Sequence, residues 1–186
     1  MTMVLNALGI SGSLRKKSTN TGLLRCAMEF APQELKIEIA DIGEIPFYNA
    51  DVAAQGKPPA VERIIAKITA ADALVLACPE FNYSMAPALK NVIDWASRES
   101  GNSVLDGKPV AILGAGGRMA SSRAQYHLRQ TCVFVNLLPL NKPEVMAHSS
   151  GGGFDENGDV IDPKVRKLIT EQMQALVRWV RILNQE

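Results

Sequence analysis

The sequence predicts an α/β protein whose parallel sheet is covered by helices on both faces. Three observations predict it. Short apolar runs alternate with segments of helical period about five times along the chain. The inner runs are apolar on consecutive residues, as strands buried on both faces must be. The runs also end abruptly, at Gly-Ser turns, at a proline or in a cluster of glycines.

Val4 to Ile10 is the first strand, and it stops at the Gly/Ser turn Ser11-Gly12-Ser13. Leu23, Leu24, Ala27, Met28 and Ala31 then recur at helical spacing and end before Pro32. Leu35 to Ile42, LKIEIADI, alternates apolar and polar residues and suits a strand nearer an edge. Residues 46–59, PFYNADVAAQGKPP, carry turn signals without a sustained period and are read as loop. Val61, Ile64, Ile65 and Ile68 restart a helical stripe, and ALVLACP (73–79) is a third strand closed by Pro79. Leu89, Val92, Ile93 and Ala96 form the next helical face, opened by Pro87 in a first-turn position that needs no N–H. PVAILGAGG (109–117) is a fourth strand opening into glycines; residues 118–133 read as helix and 135–140 as a short fifth strand. Val165, Leu168, Ile169, Met173, Leu176, Val177, Val180 and Leu183 draw a long amphipathic helix, with Asp162 as N-cap and Pro163 behind it. No repeat or linker divides the chain, and 186 residues suit one core, so 1–186 is expected to be a single domain.

Composition excludes several classes. The formal net charge of +1 supplies no field that would gather nucleic acid or an anionic membrane. No apolar stretch approaches the ~20 residues of a membrane span. Three cysteines, Cys26, Cys78 and Cys132, lack C-x-x-C spacing and are expected as reduced, buried thiols. With no basic leader in MTMVLNALG, a cytoplasmic location is expected. Two histidines, His127 and His148, and no clustered carboxylates leave no metal-ligand spacing. DENGD (155–159) lacks the glycine and closing glutamate of a calcium loop, and Asn157-Gly158 reads better as a hairpin turn. No serine sits in G-x-S-x-G, and Cys78 suits core packing rather than attack.

Parallel sheets bind ligands beyond the carboxyl ends of their strands, where strand order switches. Three loops should therefore converge: 11–20, 79–84 and 114–117. The first, after Ser11, joins Ser13, Arg15, Ser18, Asn20 and Thr21 to a helix start, where unpaired N–H groups and partial positive charge meet. Arg15 offers a fork matched to phosphate oxygens. Neither G-x-x-x-x-G-K-[ST] nor G-x-G-x-x-G is present in it, so the loop suits a terminal monophosphate gripped and left uncleaved. The plainer alternative is a capped helix with a solvated basic turn, which is how Lys16 and Lys17 are read. In the second loop Phe81 and Tyr83 offer flat apolar surface and the N–H groups of Phe81, Asn82 and Tyr83 could meet a heterocycle edge; the alternative is packed core. In the third, Gly114, Ala115, Gly116 and Gly117 allow a close backbone approach, or form an ordinary glycine turn.

GSLRKKSTN (12–20), PEFNYS (79–84) and LKNVIDW (89–95), with QYHLRQ (125–130) and NKPE (141–144) in support, resemble the NAD(P)H-dependent FMN reductase family, in its chromate and quinone reductase branch. The resemblance spans nearly the whole chain. It implies a flavodoxin-like, doubly wound, five-stranded parallel sheet of strand order 2-1-3-4-5, with bound FMN and NAD(P)H as co-substrate. It places Ser11, Ser13, Arg15, Ser18, Asn20 and Thr21 around the phosphate. Pro79, Glu80, Phe81, Asn82 and Tyr83 then lie along the isoalloxazine, and Gly114–Gly117 near its pyrimidine edge. Members often carry serines in the third loop where this chain has Ala115 and Gly116, so only backbone donors are expected there. The resemblance also implies a homodimer or homotetramer, with Tyr83, Arg123, Tyr126 and Glu144 near a subunit interface. No separate acid, base or nucleophile is expected, because the cofactor carries the hydride. The activity implied is two-step, two-electron transfer from NAD(P)H through FMN to quinones, with chromate, azo and nitro compounds also open. A flavodoxin-type electron carrier is the alternative.

Overall fold

The computed structural model describes residues 4–99 and 104–184. In chain order the elements are β1 (Leu5–Ser11), α1 (Thr19–Glu29), β2 (Leu35–Ala40), α2 (Ala50–Ala54), α3 (Pro59–Ala70), β3 (Ala73–Ala77), β4 (Glu80–Phe81), β5 (Ser84–Met85), α4 (Pro87–Ala96), β6 (Pro109–Gly116), α5 (Ser122–Phe134), β7 (Leu138–Pro139), β8 (Val145–His148) and α6 (Pro163–Leu183). Helix starts follow local chemistry. Ser18 Oγ accepts from Thr21 N–H at the head of α1, and Asp162 accepts from Lys164 N–H at the head of α6. Prolines occupy the first turns of α3, α4 and α6.

The main sheet runs β2-β1-β3-β6, all parallel, and β7 and β8 both pair parallel with β6. The expected order therefore holds for the first four positions, but among the described residues the sheet has six strands rather than five. The fifth position is divided. β7 meets Pro109 and Val110, and β8 meets Leu113 to Gly116. Between them the chain contains Pro143 and, at the end of β7, Pro139, neither of which can donate to a ladder. The buried Gln172 of α6 spans this break, its Nε2 donating to Ile112 O and to Pro143 O, each at 2.9 Å. The predicted strand at 135–140 is thus shorter than expected, and Val145–His148 is a strand that periodicity did not reveal.

Two further corrections concern loops. Residues 46–59 contain the short α2, capped by Asn49 Oδ1 on Asp51 N–H. The segment 79–84 is not a plain loop: β4 and β5 form an antiparallel hairpin around Asn82 and Tyr83. Both turn residues have positive φ, 48° and 70°, as a tight hairpin turn of the mirror-image type requires.

The faces of the sheet bury separate cores. Leu8, Ile10, Leu74, Leu76, Val110 and Ile112 pack under α3, α4 and α5. Leu5, Ala7, Val75, Ala111, Leu113 and Val145 pack under α1 and α6. Alternation along each strand sends successive side chains to opposite cores, which explains runs with no polar residue. All three predicted loops leave the same end of the sheet.

Candidate functional site

The first loop is organised by hydroxyls. Ser11 Oγ accepts from Ser13 N–H at 3.2 Å and from Thr21 Oγ1 at 3.0 Å. Ser18 is fully buried as the N-cap of α1. With Thr21 N–H taken by Ser18, the N–H groups of Thr19 and Asn20 are the ones in this first turn that α1 does not satisfy. Arg15, Lys16 and Lys17 are exposed, and the first turn of α1 holds no acidic residue. Arg15 Nη2 donates to Lys17 O at 3.4 Å. The result is a helix start with three neighbouring cations, a field suited to a phosphate dianion.

Asn20 is buried and points elsewhere. Its Nδ2 donates to Ala115 O and its Oδ1 accepts from Ala115 N–H, both at 3.0 Å. The side chain therefore ties the first loop to the third, and Asn20 meets an anion only through its backbone. The same contact uses the Ala115 N–H. The glycine stretch also differs from the expected turn: β6 continues through Gly116, and Gly114, Ala115 and Gly116 are buried beside β8. Gly117 is the first exposed residue there. Gly114 packs so closely on Ser121 and Cys78 O that no Cβ fits.

The second loop is clamped by α5. Arg123 Nε and Nη2 both donate to Glu80 Oε1, the former at 2.7 Å, and its guanidinium carbon lies 3.6 Å from the centre of the Tyr83 ring. His127 Nδ1 sits 3.0 Å from Ser84 Oγ. Glu80 is 9% exposed at its side chain, and its Oε2 is buried without a hydrogen-bond partner among the described residues. Pro79 is buried, with its Cδ closing on Gly12, whereas Phe81, Asn82 and Tyr83 are exposed at the hairpin tip. Tyr126 is exposed, and Glu144 is paired with Lys142 at 2.9 Å.

One support was hidden in the sequence. The turn at Asn157-Gly158, bridged by Phe154 and Val160, packs on the start of α1. Arg25 of α1 binds Asp159 and donates to Asn157 O. A Cβ on Gly22 would overlap Gly158 O, and one on Gly158 would lie 2.8 Å from the carbonyl carbon of Ser18. DENGD therefore braces the first loop; its hairpin was legible, its target was not.

The model of the NADPH-dependent FMN reductase family matches residues 5–152, which hold all three loops. The chain belongs to this family. It is an FMN-dependent NAD(P)H oxidoreductase. Over 181 residues it is 56% identical to an NAD(P)H-dependent FMN reductase of Pseudomonas aeruginosa, covering 97% of each chain. It is 39% identical to an NADPH:quinone oxidoreductase of Arabidopsis thaliana, covering 93% of this chain and 90% of the relative. Among solved structures, the flavoenzyme NAD(P)H:(acceptor) oxidoreductase FerB from Paracoccus denitrificans superposes with a TM-score of 0.86 at 31% identity, covering 96% of this chain and 98% of that one.

The residues of this FMN reductase fit the cofactor's chemistry. A cationic helix start suits a phosphate, an exposed hairpin tip with two aromatics suits a planar ring, and the orphaned Glu80 Oε2 is an acceptor available to a ring N–H. Among the described residues no group of His, Cys, Asp and Glu could hold a metal ion. Burial pushes the thiols of Cys78 and Cys132 up to about 12 and that of Cys26 up to about 11, so all three are protonated and outside the chemistry. No helix among the described residues is long and apolar enough to cross a membrane.

Proposed function

We propose that this chain catalyses ping-pong transfer of two electrons from NAD(P)H, through bound FMN, to quinones, with chromate, azo and nitro compounds as further acceptors. One NAD(P)H and one proton enter per quinone, and NAD(P)⁺ and hydroquinone leave. Bound FMN supplies the hydride chemistry. The residues position it. In this reading the N–H groups of Thr19 and Asn20, the hydroxyls of Ser11, Ser13, Ser18 and Thr21, and the Arg15 fork surround the phosphate. Pro79, Glu80, Phe81, Asn82 and Tyr83 lie along the ring, and the backbone of Gly114, Ala115, Gly116 and Gly117 borders it. Gly117 is the exposed donor of that stretch, since Ala115 N–H is committed to Asn20.

The observation that carries this reading is the pinned hairpin: Arg123 and His127 hold its base to α5 while Phe81 and Tyr83 stay exposed at its tip. A ring laid on such a tip keeps one face open, so donor and acceptor can use it in turn. The whole of 1–186 acts as one FMN-binding domain in the cytoplasm. It assembles as a homodimer or homotetramer, with Tyr83, Arg123, Tyr126 and Glu144 close to the interface. The exposed Tyr126, Val133 and Phe134 on α5 support such an assembly.

The test is anaerobic mixing of the FMN-loaded protein with NADPH, then with quinone. Prompt bleaching of the flavin band and its return on adding quinone are expected. A band that NADPH leaves untouched would instead identify an electron carrier.

A further inference from the structure

A cavity of about 570 Å³ opens beside the first loop, within the roughly 300–1,000 Å³ range of small-molecule sites. It lies between Gly12–Arg15, the segment after β2, and the start of α4, and Phe81 forms part of its rim. Nothing in the proposed cofactor contacts accounts for its far wall of Ile42, Ile45, Phe47, Pro87 and Ala88.

That wall is apolar and rigid. Phe47 is 74% exposed, yet both of its neighbours are locked. Pro46 O accepts from Trp95 Nε1 at 2.8 Å and from Asn91 Nδ2 at 2.9 Å. Tyr48 N–H donates to Asn91 Oδ1 at 2.8 Å, and the Tyr48 ring meets Trp95 edge-on at 5.0 Å. The anchoring fixes Phe47 at the surface, where it joins the other apolar lining residues in one patch. The same bonds satisfy both ends of the Asn91 amide, the one carboxamide in the lining among the described residues. Leu14 and Phe81 add exposed apolar surface from the other side. Among the described residues Arg15 is the only charged one in the lining, and it belongs to the phosphate loop.

We propose that this crevice receives the apolar substituent of the electron acceptor, making quinones with an extended alkyl or prenyl chain the preferred substrates. The inference rests on the ping-pong reading above and deepens it. A quinone ring near Phe81 would leave its substituent facing Ile42, Ile45 and Phe47, the part of the cavity beyond the Ser13, Arg15 and Phe81 assigned to the cofactor. A nicotinamide dinucleotide is a poor match, because its pyrophosphate and riboses would find no polar partner on the far wall. The crevice therefore separates acceptor from donor.

The experiment compares decylubiquinone with dimethylbenzoquinone on the FMN-loaded protein and on Phe47→Ser and Phe47→Leu. Wild type is expected to favour the decyl compound in kcat/KM. Phe47→Ser should lower that value about tenfold, with dimethylbenzoquinone turnover and NADPH bleaching unchanged, and Phe47→Leu should recover most of it. Calorimetry with a redox-inert dimethoxybenzene carrying a decyl chain should show the same order of affinities. Equal loss for both quinones, or no loss, overturns the proposal. So does a drop in particle mass by light scattering in Phe47→Ser with the decyl preference intact, which would assign the wall to a second copy of the chain. If wild type is not bleached by NADPH, the parent reading fails and this one with it.

Discussion

Asn20 and Ala115, 95 residues apart, exchange two hydrogen bonds of 3.0 Å through the side chain of one and the peptide of the other. The pair sets the distance between the first and third loops. In Asn20→Asp the donor to Ala115 O becomes a second acceptor, so a buried carbonyl and a carboxylate oxygen face each other. A loss of about 1–3 kcal/mol in denaturant stability is expected, together with weaker FMN retention. Unchanged stability and unchanged cofactor affinity would show that the two loops are positioned independently.

Arg15→Ala should release FMN more readily while leaving the apo-protein's melting temperature unaltered, because among the described residues the guanidinium makes one long contact, to Lys17 O. Losing hydrogen bonds to a charged group predicts a Kd raised roughly tenfold to a hundredfold. Fluorescence titration of the apo-protein with FMN measures it.

Gly158→Ala tests the brace behind α1. The residue has φ +82°, and a methyl there would press on Ser18 and on Lys17 O. The strain of about 1–2 kcal/mol should appear as weaker FMN binding as well as reduced stability. A stability loss without any change in FMN affinity would confine DENGD to a packing role.

Arg123→Ala removes both donors from Glu80 Oε1 and uncovers Tyr83, whose left-handed backbone is otherwise held by the clamp. A cost of about 3–5 kcal/mol is expected for stranding the buried carboxylate, and Arg123→Ala/Glu80→Gln should recover a good part of it. Hydrogen exchange at residues 80–85 would rise in the single variant and fall back in the double. Equal exchange in all three proteins would rule out the clamp.

The buried thiols set an alkaline limit. Each has a folded-state value above the ordinary 9.0, so the neutral thiol is favoured in the fold. Their contribution is complete below pH 9 and is lost as pH rises from there towards 11 and 12. Denaturant midpoints should therefore fall across that window, less steeply in Cys132→Ala. At pH 8 a thiol reagent should react with the native chain slowly and with all three cysteines after unfolding.

Much of this protein is local in its physics. Consecutive apolar residues in β1, β3 and β6 announce strands buried on both faces, and Ser18 and Asp162 announce helix starts through bonds made within three residues. The motif loops 11–20 and 79–84 are legible for the same reason, since hydroxyls, cations and aromatics are concentrated there. Tertiary structure alone decides that the fifth strand is split, because the break is bridged by Gln172 from a helix far along the chain. It alone decides that Asn20 faces Ala115, that Arg123 reaches Glu80, and that Gly158 presses on Ser18. These are contacts across 43 to 140 residues or so, and no period in a sequence encodes them. They exist because the sheet brings distant strand ends to one rim, where buried polar groups must find whichever partner the fold delivers.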